Sequence, residues 1–202
     1  MTVFLETIAQ IKPNDDPLES GYFENETVAE ADCSKVDFKS TRFVGCKFEK
    51  CDFRSAGFYG TVFSKCDFSN CSFPESYWKQ SRVEDGRGDG ADFSESHFKE
   101  TTFSSCSLCF ANFTKSAWEY CRLEDCLCKE AFFMESRLKK FTLEKTDLTR
   151  ADFFRTQLKG IDLSSCVIKG IMVSDTYREL HGAKIDAFQA IDLVSLLGVT
   201  IV

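Results

Sequence analysis

Apolar side chains recur along this chain with a period of five. From Phe23 to Val173 every fifth position is a core-type site, 31 in all: 15 Phe, 7 Leu, 3 Val, 2 Trp, 2 Cys, one Ile and the exception, Gly88. Two residues before each, at 21, 26, 31 and onward, 26 of the 31 sites hold Ala, Cys, Ser, Thr or Gly. A helix needs apolar residues three and four apart and a strand needs alternation, so a strict five fits neither. Units this short bury a large side chain only by stacking on one another, which predicts a solenoid. The large residue, such as Phe48, Phe53, Phe58, Phe63, Phe68, Phe93, Phe98, Phe103 or Phe113, then points to the axis. The small one also faces inward, and the other three positions of each unit lie at the surface. Asp or Asn just before the large residue, as at Asp37, Asp52, Asp67, Asp92, Asn112, Asp147, Asp152 and Asp162, suits side chain to backbone bonding at tight corners.

The pattern weakens at three places, which divide the chain into an N-terminal segment (1–20), the repeat (21–175) and a C-terminal segment (176–202). Within the repeat, Gly86 and Gly88 fill the small and the large site of one unit, and Glu84 to Gly90 mixes three glycines with alternating charges. This reads as a loop pushed off the rod, either a flexible bulge or a partner-contacting loop through Glu84, Asp85, Arg87 and Asp89. The Arg87-Gly88-Asp89 tripeptide is too short a match to signal adhesion. At the N-terminus, Val3 to Ile11 is an apolar stretch before Pro13 and Pro17, a short helix or an arm lying on the first coil.

After Asp175 the register restarts two places later at Leu180 and Ile185. Asp186 with Gln189 has the form of an N-cap and capping box, and Gly198 stands at the expected stop, so a helix is predicted over Ala187 to Leu197. That helix is apolar around most of its circumference, with Phe188, Ile191, Val194 and Leu197, and Val199 and Ile201 follow in a β-branched tail that reads as a terminal strand. One rod end cannot bury so much apolar surface. A symmetric dimer joined through the C-terminus is the expected use of it, the alternative being a monomeric cap under a larger apolar patch. Phe110, Phe132, Met134, Phe154 and Met172, apolar residues at surface positions of the C-terminal half, add to this.

Composition narrows the chemistry. No run of 18 apolar residues suggests a membrane span, and Met1 to Ser20 lacks the basic, apolar and small-residue order of a signal peptide, so a cytoplasmic protein is expected. Eight of the eleven cysteines sit at the small inward site, Cys33 and Cys128 sit at the large one, and only Cys109 faces outward. As small buried residues they need neither disulfide nor metal. His97 and His181 lie outside any zinc-ligand spacing with Cys121, Cys126 and Cys128, and no nucleophile, base and acid recur together. Neither cofactor nor catalysis is expected.

Units such as Cys51-Asp52-Phe53-Arg54-Ser55, Ala91-Asp92-Phe93-Ser94-Glu95 and Ala151-Asp152-Phe153-Phe154-Arg155 resemble those of pentapeptide-repeat proteins. The resemblance implies an all-β solenoid, a right-handed quadrilateral β-helix with four units to a coil. The 31 units would then make nearly eight coils and a rod about 37 Å long. On that assumption the face through Phe53, Phe93 and Phe133 carries Asp32, Asp52, Glu75, Asp92, Glu95, Glu135, Asp152 and Asp175 against four basic residues. The next face, through Phe58, Phe98 and Leu158, carries Lys39, Lys79, Lys99, Arg137, Lys139, Lys140 and Lys159 against three acids.

The segment Gly182 to Ala190, followed by Leu196-Leu197-Gly198, resembles the ending of Qnr-like quinolone-resistance pentapeptide proteins. That resemblance implies a homodimer that binds DNA gyrase and topoisomerase IV in imitation of DNA. Two features depart from the family pattern. No phase-breaking insertion interrupts the repeat, and of the net charge of -7 only -3 lies in the repeat, with 25 acidic against 22 basic residues. The alternative is a pentapeptide-repeat scaffold with another protein partner. With an acidic chain and no nucleic-acid motif, direct DNA binding is not expected.

Overall fold

A computed structural model of the chain describes residues 2–196, Gly198 and Val199. Four five-residue units close one coil, so residues 20 apart stack. One seven-stranded parallel sheet runs through Leu18–Glu19, Asp37–Lys39, Gly57–Tyr59, Tyr77–Lys79, His97–Lys99, Ala117–Glu119 and Arg137–Lys139. A second runs through Tyr22–Glu24, Arg42–Val44, Val62–Ser64, Arg82–Glu84, Thr102–Ser104, Arg122–Glu124 and Thr142–Glu144. The other two faces are mainly turns joined by parallel bridges, such as Asp52↔Ser72 and Ser72↔Asp92. The strand ladders therefore span about six coils, fewer than the nearly eight that the repeat count implied. Beyond Glu144 the coil continues through the bridges Asp147↔Val167 and Asp152↔Met172 without strands. Ile161 and Ile171 stand there, and Phe141 just before, at sites that hold mostly small residues in the rest of the rod. The rod also begins one unit earlier than expected, because Leu18 is buried at the large site and its strand pairs with Asp37–Lys39.

The large sites form ladders of rings up the interior. Phe53, Phe73, Phe93, Phe113, Phe133 and Phe153 stack with centroids 4.7 to 5.1 Å apart. Phe58 and Trp78 stack at 4.0 Å, as do Phe98 and Trp118. Phe48, Phe63, Phe68 and Phe103 are buried with them. Each indole N–H donates to the small-site hydroxyl two residues before it, Ser76 or Ser116, so neither Trp leaves a buried donor unpaired.

The small sites carry more than size. Thr61, Ser81, Ser96 and Ser136 each donate a hydroxyl to the carbonyl oxygen 23 residues back, that of the large residue in the preceding coil. Cys46, Cys51, Cys71, Cys106 and Cys126 direct their thiols to the same acceptor. Hydroxyl and thiol interchange because both fit the space and reach one carbonyl. All eleven cysteines are free thiols. Burial pushes the Cys121 thiol up to about 11.

At its N-terminal end the rod is closed by helix α1, Val3–Ile11. Phe4 enters the core between Phe23, Phe43 and Phe48 at 5.1 to 5.8 Å, and its N–H donates to the Glu26 carboxylate at 3.0 Å. Lys12, just past the helix, pairs with Asp32 and donates to its carbonyl oxygen.

The opposite end is closed by a register shift of two. Asp162 bridges to Lys184, 22 residues on rather than 20, and Leu180 and Ile185 pack against the core. Helix α2, Gln189–Leu196, follows. Asp186 accepts from the N–H groups of Phe188 and Gln189, and Gln189 accepts from the Asp186 N–H, a reciprocal capping box. The Gln189 amide also donates to the carbonyls of Leu163 and Cys166, which anchors the helix on the last coil. Gly198 has φ +71°, the left-handed stop. The expected terminal strand, with Ile201, lies outside the described residues, as does Leu197.

Candidate functional site

The 20-residue stacking places the two charged faces side by side. On the turn face, Asp32, Asp52, Ser72, Asp92, Asn112, Phe132 and Asp152 occupy one column, one per coil. Successive members are about 4.8 Å apart, the spacing of neighbouring strands. The column is acidic because its turns need acceptors. Asp52 takes the N–H of Arg54 at 2.8 Å, Asp92 takes that of Ser94 at 3.0 Å and Asp152 takes that of Phe154 at 2.8 Å. Asp67, Asn112, Asp147 and Asp162 bond in the same way, whereas Asp37 stands in a strand and does not. Asp32 also takes the Lys12 ammonium, and that bond, with help from Ser34, holds its carboxyl down to about 2.

Glu75, Glu95 and Glu135 share a second column at the corner of the same face, each with φ between 55° and 59°. Glu75 accepts from the Ser55 hydroxyl at 3.3 Å, and Glu135 lies 3.6 Å from Arg155. Asp52, Asp92 and Asp152 are thus brought together with Glu75, Glu95 and Glu135 on one side of the rod.

Glu84, Asp85, Arg87 and Asp89 do not form a projecting loop. Arg82–Glu84 is a regular strand, Arg87 bridges to Asp67 and Ser107, and Gly86 and Gly88 are buried. The expectation of a loop fails because the missing side chain is supplied from the preceding coil: the Phe68 ring lies where a Gly88 side chain would be. Three of these four charges are also engaged. Glu84 pairs with Arg82 at 3.3 Å and Arg87 with Asp89 at 3.1 Å, while Asp89 accepts from the Ser107 hydroxyl and the Cys109 N–H.

At the C-terminal end Phe188 is 83% exposed, Ile191 and Val199 are exposed, and Val194 is half-buried. The outer side of α2 is therefore an apolar surface. Phe110, Phe154 and Met172 are exposed and Phe132 and Met134 half-buried on the flank of the same half. Among the described residues, no group of three or more His, Cys, Asp or Glu is placed to hold a metal ion, and no helix is long and apolar enough to cross a membrane.

A closed rod with a filled interior, charged faces and an apolar end defines a repeat solenoid whose usable chemistry lies on its outside. Family comparison agrees with that class. A model described as "Pentapeptide repeat region" matches residues 57–133 and one described as "Pentapeptide repeats (8 copies)" matches 31–73 and 131–170. The chain belongs to the pentapeptide-repeat proteins.

Among solved structures it is Qnr-like. It is similar to a trypsin-treated single-substitution variant of QnrB1, "a plasmid-mediated fluoroquinolone resistance protein", at 25% identity and a TM-score of 0.60, over 92% of this chain and 93% of that one. Full-length QnrB1 aligns over 91% of this chain and 97% of that one, at 23% identity and a TM-score of 0.54. No curated protein matches the chain in sequence.

Two features were not anticipated from the sequence. One is the corner column at every fifth position from Ser20, where residue after residue has positive φ. Its signal is compositional: from 20 to 170 that column contains no Val, Ile or Thr. The other is Glu179, only 2% exposed, whose signal would have been an acid between the rod and its cap.

Proposed function

We propose that this chain is a non-enzymatic cytoplasmic protein that binds DNA gyrase, and the related topoisomerase IV, in place of DNA, and so protects them from quinolones. The observation that carries this reading is the likeness to QnrB1 along nine-tenths of both chains. A rigid rod with one acidic side fits a groove built to hold phosphates. Charge alone does not make the imitation. A duplex of about 37 Å carries about 22 charges at one per 1.7 Å, far above this chain's net -7. Shape and the local columns Asp52, Asp92, Asp152 and Glu75, Glu95, Glu135 therefore carry the resemblance to DNA.

The exposed side of α2 supports a homodimer. Phe188, Ile191 and Val199 would meet their counterparts across a two-fold axis, with Val194 beneath them.

The test is a gyrase supercoiling assay across protein concentrations with and without ciprofloxacin. Restored supercoiling in the presence of drug is the expected result. Unchanged drug inhibition together with unchanged catalysis at micromolar protein would remove the topoisomerase reading.

A further inference from the structure

Around Ala117 on the first sheet, the charges left free for a partner are basic. Lys79, Lys99 and Arg137, with His97 beside them, project from the first sheet, and among the described residues none makes an ion pair or a side-chain hydrogen bond. In the acidic columns Asp52, Asp92 and Asp152 are tied to their own turns and Glu75 and Glu135 to neighbouring side chains, while Glu95 makes neither kind of contact.

Strand register aligns His97, Ala117 and Arg137 in one column. The Ala117 methyl is short between two long neighbours, which opens a depression of about 350 Å³ lined by Tyr77, His97, Lys99, Ala117, Glu119 and Arg137. Glu119, on its rim, is neutralised by Lys139 at 2.6 Å, so the net charge around the depression stays positive.

We propose that this cationic sheet face, centred on the Ala117 depression, docks an acidic segment of a partner protein. Lys79 and Lys99 stand one coil apart and His97 and Arg137 two coils apart, about 5 and about 10 Å. Carboxylates on alternate residues of an extended chain, about 7 Å apart, fall within that range. A nucleic acid fits less well. Its dense charge along the whole rod would meet the acidic column on the adjoining face and a net charge of -7, whereas a short acidic segment meets only the local field within a Debye length. The inference is independent of the topoisomerase reading.

Fluorescence anisotropy of a labelled peptide of about twelve residues, with Glu at alternate positions, tests it against the full chain. The peptide should bind and should weaken as salt rises from about 50 to about 300 mM. The K79E/K99E/R137E variant should lose about tenfold or more in affinity, while E75Q/E95Q/E135Q should not. A peptide with Ser in place of Glu should not bind. Circular dichroism and melting confirm that the variants keep their fold. The proposal is overturned if the native protein shows no binding up to about 1 mM peptide, if both variants lose equally, or if a 20-base-pair duplex binds more tightly than the peptide.

Discussion

The ring of Phe68 lies in the space that a side chain at Gly88 would need. A Cβ at Gly88 would overlap its Cε2 and crowd its Cδ2. The same ring meets Phe93 edge-on at 83°, while the rings of the neighbouring ladder lie parallel. One coil thus fills the hole that the next leaves open. Gly88→Ala should cost about 1–3 kcal/mol by overpacking, measured by urea denaturation. Adding Phe68→Leu should bring the net cost below about 1.5 kcal/mol, because volume is then nearly conserved. Equal additive losses from the two changes would mean that they do not share this space.

The corner column offers a second measurement. Ser105 has φ 52° and Tyr120 has φ 57°, both left-handed. Branching at Cβ is the feature that conformation tolerates least. Ser105→Val should destabilise by about 1–2 kcal/mol, while Ser105→Asn should be near neutral in the same denaturation experiment.

How far the sequence determined this picture follows from what kind of contact each feature needs. The period alone places the rings, because Phe53 and Phe93 meet chemically similar partners in every coil. It also places the register shift, since Leu180 and Ile185 restart the phase visibly. The capping box at Asp186 and Gln189 is local and so was legible. Gly88 misled because its missing volume is restored by a residue 20 positions away, which local pattern cannot show. Four-unit coils needed the family resemblance, because spacing by five does not say how many units close a turn. The neutralised state of Glu84, Arg87 and Asp89, and the unpaired state of Lys79, Lys99 and Arg137, depend on side-chain pairing between coils and required the structure.

Glu179 supplies a pH dependence. Its carboxylate takes the Arg155 N–H at 2.9 Å, where earlier coils offer a backbone carbonyl such as that of Phe154 to Glu135, and it also takes the Ser174 hydroxyl. Burial by itself raises the carboxyl, but hydrogen bonds from backbone and from Ser174 outweigh it and hold it below its ordinary 4.5. A group lowered in the folded state contributes stability above its unfolded value and loses it as pH falls. Glu179→Gln should therefore show a shallower loss of stability than the wild type as pH falls below about 4.5. Glu179→Ala, which leaves the Arg155 N–H unpaired, should cost about 1–3 kcal/mol at neutral pH.

Binding to gyrase in competition with DNA decides whether this rod occupies the place of DNA. With labelled protein and purified gyrase holoenzyme, anisotropy should report a complex at micromolar concentration or below, and added linear duplex should displace it. The E75Q/E95Q/E135Q variant should bind more weakly. Either no complex at micromolar protein, or a complex that saturating duplex leaves intact, would contradict a protein that occupies the place of DNA.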